Sequence, residues 1–224
     1  MANQLNNYFV QNDRFPSFQS AYRSNHSTET ALLRFVNDIQ CSNDDHKEVI
    51  LVLLDLSSAF DILDHIILFG RLRDYYGISG TVLRWLETYL SERSQTVVIN
   101  MASSDERQLV YRVPQLQGSV LGPLLFAFYF APLEDVIHAH GLNGMLYADD
   151  TQLYISLDSK SKAESLSSLQ SCLRSIFSSL SINMLVCHPE KTDIVRHFTS
   201  QFDQHAPISV ISKFLAQDND FPAF

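Results

Sequence analysis

The chain contains 224 residues, of which 46% are hydrophobic, and this favours a packed core of one large or two small domains over general disorder. Its formal net charge of −9 excludes a strongly basic surface over the whole chain, the usual means of binding nucleic-acid phosphates. Its three scattered cysteines exclude a disulfide framework and a cysteine-rich zinc site.

The N-terminal residues MANQLNNYF contain no basic segment followed by an apolar run, so no signal peptide is predicted. The longest apolar stretch, residues 120–133, is interrupted by glycine and proline and is too short to span a bilayer. We therefore expect an intracellular protein, nuclear or cytoplasmic, with no transmembrane segment and no membrane partner.

Hydrophobic periodicity predicts alternating helices and strands in the first half of the chain. A helix capped near Ser27 or Thr28 precedes the apolar run 49–54, which is typical of a strand buried on both faces. Three further elements follow: a helix from about residue 60, a helix over about 81–90, and a hairpin of 96–100 with 109–113.

The second half begins with a helix after Gly118 and continues with a second hairpin. Its segment GMLYADDTQLYIS, residues 144–156, places Asp149 and Asp150 at the tip between two apolar runs. The serine-rich stretch 159–181 keeps apolar residues at helical spacing and predicts an amphipathic helix. Strands and helices in this order predict an α+β domain, followed by a poorly ordered tail at 199–224.

Three carboxylates are candidates for chemistry. Asp55 follows the predicted buried strand, and strand ends are where α/β proteins often place their functional residues. A structural interpretation stays open for each acid, with Asp55 as the N-cap of the next helix and the Asp149–Asp150 pair as an ordinary turn. If the strand lies beside the hairpin, the three carboxylates converge, and a divalent cation would offset their repulsion. This hypothesis predicts a two-metal Mg²⁺ site for phosphoryl transfer.

Several short strings then point to one family. They are HSTETAL, LDLSSAFD, QGSVLGPLLF, LYADDTQLY and HPEKT, at residues 26–32, 54–61, 117–126, 146–154 and 188–192. In content, order and approximate spacing they resemble the reverse transcriptase domain of non-LTR (LINE-type) retrotransposons. The resemblance covers about residues 5–198.

The resemblance implies a fold and a division of the chain. The fold is a polymerase palm, an antiparallel sheet backed by helices, with part of the fingers and without the thumb. Residues 1–48 correspond to partial fingers, 49–198 to the palm-containing core, and 199–224 to the tail.

The resemblance also implies roles for individual residues. The implied catalytic residues are Asp55, Asp149, Asp150 and Lys191, of which the three acids bind two Mg²⁺ ions, with Mn²⁺ as a substitute. The implied nucleotide-binding residues are Phe60, Gln117, Gly118 and Arg23. Tyr147 and Ala148 complete the YADD turn near the primer end. Alternatives remain open for three of these: Phe60 as ordinary core, and Arg23 and Lys191 as solvated surface charges.

Three features depart from the family pattern, and one of them is that the tail after residue 199 does not resemble the family's primer-grip segment. The family's Val-Pro-Gln-Gly-Ser stands here as VPQLQGS at 113–119, with Leu116 and Gln117 as two extra residues, and Pro132 falls where the family's helix continues. Two hypotheses therefore remain. In the first, the chain is an RNA-directed DNA polymerase that binds RNA template, DNA primer and dNTP. In the second, it is a decayed or repurposed module that binds partners without catalysis.

Overall fold

A computed structural model describes residues 2–12, 14–57, 63–91, 94–108, 121–158, 160–188 and 192–197. The helices are α1 (Ala2–Gln11), α2 (Thr28–Asp44), α3 (His65–Asp74), α4 (Gly80–Leu90), α5 (Gly122–Phe130), α6 (Pro132–Ala139) and α7 (Lys162–Ile182). The strands are β1 (Glu48–Leu54), β2 (Leu56–Ser57), β3 (Ser94–Gln95), β4 (Val98–Ile99), β5 (Ala102–Ser103), β6 (Arg107–Gln108), β7 (Asn143–Tyr147), β8 (Asp150–Leu157), β9 (Val186–Cys187) and β10 (Asp193–His197).

The central sheet has the strand order β10-β1-β8-β7, and every neighbouring pair in it is antiparallel. β1 lies in the interior of this sheet, where Leu51 is opposite Val195 on one side and Tyr154 on the other. An interior strand needs apolar residues on both of its faces. The uninterrupted run 49–54 meets this requirement, and the predicted strand is confirmed.

Helices cover both faces of the sheet. One face packs against α2 through a small cluster of buried residues, namely Ala31, Phe35, Val49, Met145 and Tyr154. The other face carries Val52 and Leu153, which join the main core together with residues of α5 and α7. Successive side chains of a strand point to opposite faces, so each strand supplies both cores in turn. The result is the α+β arrangement that the sequence predicts.

Local sequence signals account for several helix ends. The Ser27 side chain accepts a bond from the backbone N–H of Thr30, and the Thr30 hydroxyl accepts one from the backbone N–H of Ser27. This reciprocal capping box satisfies N–H groups that the first turn leaves without helical partners, and it confirms the predicted start of α2. The predictions of α4 and α7 are confirmed within a few residues.

The helix predicted from about residue 60 begins later. α3 starts at His65, where the Asp64 carboxylate accepts a bond from the Ile67 backbone N–H at 2.9 Å. Asp64, and not Asp55, therefore caps this helix. Phe60 lies outside the described residues.

The hairpin predicted from 96–100 with 109–113 is wrong in its pairing. β4 pairs with β5, and β3 pairs with β6, so the chain turns back at Asn100 and Met101. Both of these residues have positive φ, 49° and 67°, which is the backbone geometry of a tight two-residue hairpin turn. Residues 109–113 lie outside the described part of the chain.

The apolar stretch before the second hairpin forms two helices, with the break at Ala131. Pro132 is at the first helical position of α6. A backbone N–H at this position has no acceptor within the helix, so proline, which lacks the N–H, costs no helical hydrogen bond there. The departure noted at Pro132 therefore starts a new helix and does not distort an existing one. No helix among the described residues is both long and apolar enough to cross a membrane.

We expect Leu153→Ala to lower the free energy of unfolding by about 2–5 kcal/mol, because it leaves a cavity in the core of the sheet. Leu153 is 0% exposed, whereas Leu33 on α2 is 69% exposed and provides a matched leucine control. Chemical denaturation followed by circular dichroism measures both variants. Equal effects of Leu153→Ala and Leu33→Ala would contradict the placement of the core.

Candidate active site

The strand register brings the three acids to one end of the central sheet. The pairing of β1 with β8 ends at Leu54 opposite Thr151, so Asp55 comes next to Asp150. The pairing of β7 with β8 ends at Tyr147 opposite Asp150, which leaves Ala148 and Asp149 as the turn between the strands. Carboxylates far apart in the sequence therefore meet at the tip of the β7–β8 hairpin.

Strand alternation places part of this group on one face of the sheet. Residues an even number of positions apart in a strand point to the same face of the sheet. Asp55 therefore points to the same face as Leu51, and Asp150 to the same face as Tyr154, the residue opposite Leu51. Tyr147 is opposite Asp150 and shares its face. This is the face that α2 covers at its other end, through packing on Tyr154.

The three acids affect each other electrostatically. The pKa of Asp150 is raised by partial burial and then by the negative charges of Asp149 and Asp55. The pKa of Tyr22 is raised by burial and then by Asp149 and Tyr147. The end of the sheet is therefore a region of negative potential, and it lies next to Tyr22 of the N-terminal segment.

The backbone of Asp55 is held from a second direction by a short sheet. β2 pairs with β9, so that Leu56 lies opposite Cys187, and the His188 backbone N–H donates to the Asp55 carbonyl at 2.8 Å. Burial is the main cause that raises the pKa of the Cys187 thiol, and the charge of Asp55 adds to it. The string HPEKT, residues 188–192, marks this region in the sequence but does not reveal the contact between His188 and Asp55.

An N-terminal segment, residues 15–23, forms an additional border along β7. Phe18 accepts a bond from the Leu146 N–H, and the Ser20 N–H donates to the Leu146 carbonyl, both at 2.9 Å. These bonds cover the edge of the sheet, where the backbone groups of β7 would otherwise lack partners. Sequence analysis named Arg23 of this segment as a site residue but did not predict that the rest of the segment borders β7.

Arg23 belongs to the same segment but shows no described contact with the three acids. Its guanidinium lies over the Phe15 ring, 5.4 Å from the centroid, as in a cation–π contact. The other predicted site residues lie outside the described residues; they are Phe60, Gln117, Gly118 and Lys191, and the extra residue Leu116 lies there too. The structure thus brings together Asp55, Tyr147, Ala148, Asp149 and Asp150.

The donor chemistry of this group suits a hard divalent cation. Within the described ranges, no group of three or more His, Cys, Asp or Glu side chains is placed so that it could hold a metal ion by itself. Mg²⁺ commonly uses one or two carboxylates and takes its other ligands from water and phosphates. Asp55, Asp149 and Asp150 provide such carboxylates at one place, and their mutual repulsion is the kind that a cation offsets.

We expect Asp150→Asn to stabilise the metal-free protein, because the substitution removes a charge that partial burial disfavours first and the neighbouring acids disfavour in addition. Since much of the Asp150 side chain is still accessible and solvent screens the repulsion, the melting temperature should rise by only about 1–3 °C. Differential scanning calorimetry without divalent ions measures the change. Asp105→Asn, in the exposed connection between β5 and β6, is the control, and a lower melting temperature for Asp150→Asn would contradict the repulsion.

Comparisons with known proteins agree with this arrangement. A family model described as reverse transcriptase (RNA-dependent DNA polymerase) matches residues 1–213. The chain is 31% identical over 202 residues to "Probable RNA-directed DNA polymerase from transposon BS" of Drosophila melanogaster, a match covering 86% of this chain and 21% of that protein. It is 34% identical over 119 residues to "Probable RNA-directed DNA polymerase from transposon X-element" of the same organism, covering 51% and 12%.

Solved structures share the fold at low sequence identity. Apo telomerase from Candida tropicalis, truncated from its C-terminal domain, matches with a TM-score of 0.62 and 13% identity, covering 87% of this chain and 39% of that one. Telomerase from Candida albicans, solved with a TWJ fragment of telomeric RNA, matches with a TM-score of 0.57 and 11% identity, covering 87% and 34%.

These matches identify the central sheet and its helices as a polymerase palm with part of the fingers. The chain spans about a fifth or less of the length of the two Drosophila relatives. It belongs to the reverse transcriptase (RNA-dependent DNA polymerase) family, as a reverse transcriptase domain of the non-LTR (LINE-type) retrotransposon kind.

Proposed function

We propose that this domain catalyses RNA-directed DNA synthesis. The 3′-hydroxyl of a DNA primer attacks the α-phosphate of a dNTP, a new phosphodiester bond forms, and pyrophosphate leaves. The observation that carries the proposal is the register that places Asp55 beside Asp150 and the Asp149 turn. The names of the two transposon relatives, both RNA-directed DNA polymerases, support the same reaction.

Asp55, Asp149 and Asp150 are the residues that would hold the divalent ions. When bound, two Mg²⁺ ions, or Mn²⁺ in their place, stabilise the charge on the attacking and leaving oxygens of such a transfer. Rigid strands hold these acids in position. Asp55 directly follows β1, which lies between two partner strands, and Asp150 is the first residue of β8. Holding reacting groups in place is a large part of catalysis.

The other residues of the site have proposed positions around the substrates. Tyr147 and Ala148 lie at the end of β7 next to Asp149, and we assign them to the primer end. Arg23 is assigned to the triphosphate, since a guanidinium binds phosphate oxygens well. Phe60, Gln117 and Gly118 are assigned to the incoming nucleotide, and Lys191 to protonation of pyrophosphate, all outside the described residues.

A second candidate function is a non-catalytic module that binds partners. The net charge of −9 favours it, because a polymerase must hold a phosphate backbone on a basic surface. The extra residues Leu116 and Gln117 also favour it, since they interrupt the implied nucleotide-binding motif. The two functions predict different results in a primer-extension assay with RNA template, DNA primer and dNTP.

In a polypeptide extended to the length of the transposon relatives, we expect Asp149→Asn to lower the rate of primer extension by about 10³-fold or more. Such a loss corresponds to about 4 kcal/mol of activation free energy, as befits a residue that holds a catalytic ion. Single-turnover primer extension in Mg²⁺ measures the rate.

Asp105→Asn removes the same charge from the exposed connection between β5 and β6 and should keep the parent activity. A loss of less than tenfold for Asp149→Asn would remove Asp149 from the mechanism. An inactive parent polypeptide that still binds primer–template would favour the non-catalytic function.

We expect the 224-residue chain by itself to bind an RNA–DNA primer–template weakly at 150 mM salt, because its net charge is −9. Binding should strengthen steeply as salt is lowered, since protein cations displace counterions from the phosphates, with a salt slope of about −0.9 per phosphate contact for duplex DNA. Fluorescence anisotropy over a salt series measures it. Nanomolar affinity at 150 mM salt would contradict the expectation.

A further inference from the structure

We propose that Gln19 is a positioning residue that fixes the turn of Ala148 and Asp149, and through it the place of the Asp149 carboxylate. The catalytic part of this inference rests on the proposed function. The structural part, that Gln19 holds the turn, is independent of it. Nothing in the sequence pattern of the YADD segment points to a residue so far away in the chain.

Gln19 is a buried polar side chain. It is 1% exposed, and Ser20 and Thr151 are the other buried polar residues of the described part of the chain. A buried amide is costly unless its oxygen and nitrogen are hydrogen-bonded. The partners of Gln19 therefore show what this residue does.

Most of those partners belong to Ala148. The Gln19 Oε1 atom accepts a bond from the Ala148 backbone N–H at 3.0 Å, and Nε2 donates to the Ala148 carbonyl at 3.3 Å. Oε1 also accepts a bond from the Ala21 backbone N–H at 3.0 Å. One amide thus holds both backbone polar groups of the residue immediately before Asp149.

Ala148 needs such support because of its backbone conformation. Its φ is +58°, in the left-handed region that residues with a Cβ rarely adopt. The ladder between β7 and β8 ends at Tyr147 and Asp150, so Ala148 itself lies outside the strand pairing. An unfavourable conformation of this kind persists when surrounding contacts determine it, and Gln19 supplies them.

The backbone that carries Gln19 is itself anchored. Its neighbours Phe18 and Ser20 bond to Leu146 of β7, as described above. The Glu134 carboxylate of α6 accepts bonds from the backbone N–H groups of Ser17 and Phe18, at 3.2 and 3.1 Å. Gln19 therefore extends from a segment fixed to both β7 and α6, and this makes its amide a rigid support for the turn.

The inference is tested by amide hydrogen exchange and Mn²⁺ relaxation, both measured by NMR on the 224-residue chain. Gln19→Met removes the amide at similar length, and Ser20→Ala is the matched control. Ser20 is buried in the same segment, and its bond to Leu146 comes from the backbone N–H, which alanine retains. Gln19→Asn keeps an uncharged amide but shortens it by one methylene, which moves it away from Ala148, so it serves if Gln19→Met does not fold.

In Gln19→Met we expect the Ala148 amide to exchange at least about tenfold faster, while the Leu153 amide in the strand keeps its rate, because the opening is local. In wild type, Mn²⁺ should broaden the NMR signals near residues 147–151. The variant should need about tenfold more Mn²⁺ for the same broadening, because the Asp149 carboxylate is less well positioned. Ser20→Ala should match wild type in both measurements. Gln19→Asn should show the same two changes.

Wild-type exchange at Ala148 in Gln19→Met would overturn the inference, and so would equal acceleration at Ala148 and Leu153, since that indicates a general loss of stability. If wild type shows no Mn²⁺ broadening near residues 147–151, the proposed metal site fails. The exchange rates of Ala148 then decide by themselves whether Gln19 holds the turn.

Discussion

The pairing of β1 with β8 is the constraint on which the site depends. Asp55 and Asp150 come side by side only because Leu54 is opposite Thr151 in that register. A slip of one residue would turn every side chain of the strand to the other face and separate the acids. The cores on both faces of the sheet prevent such a slip, since Val49 and Val52 belong to different cores. The packing of apolar side chains thus determines where the charges meet.

The same arrangement explains how a repulsive group of acids is tolerated. The acids lie at the end of the sheet, beyond the buried part of the strands, where Asp150 is exposed to solvent. Their backbones are held from several directions: Asp55 by His188, and the turn before Asp149 by Gln19. Stability for this region comes from the sheet, the anchored N-terminal segment and the helices behind it. These contacts offset the repulsion between the carboxylates, and surrounding structure often supports unfavourable arrangements in this way.

Much of the fold was predictable because its signals are local. Ser27 and Thr30 form a cap within one helical turn, and the run 49–54 is apolar enough to identify an interior strand. Where prediction went wrong, a competing local preference decided the outcome. Asn100 and Met101 adopt positive φ and turn the chain early, and Asp64 caps α3 several residues after the predicted start. Short strands with few apolar residues carry little register information, so their pairing depends on such turns.

By itself the sequence determined the family, the α+β class and the acids that are candidates for chemistry, because each is encoded in contiguous motifs and periodic apolar residues. Only the tertiary structure decided how these parts meet. Gln19 is 129 residues from Ala148 and bonds to its backbone, which has the same polar groups at almost every position. When a side chain bonds to backbone groups, its partner position does not need a particular residue type. The sequence therefore contains no matching pair of residues that would predict the contact. The bond from His188 to the Asp55 carbonyl is hidden for the same reason: folding brings the partners together, and their identities do not predict the contact.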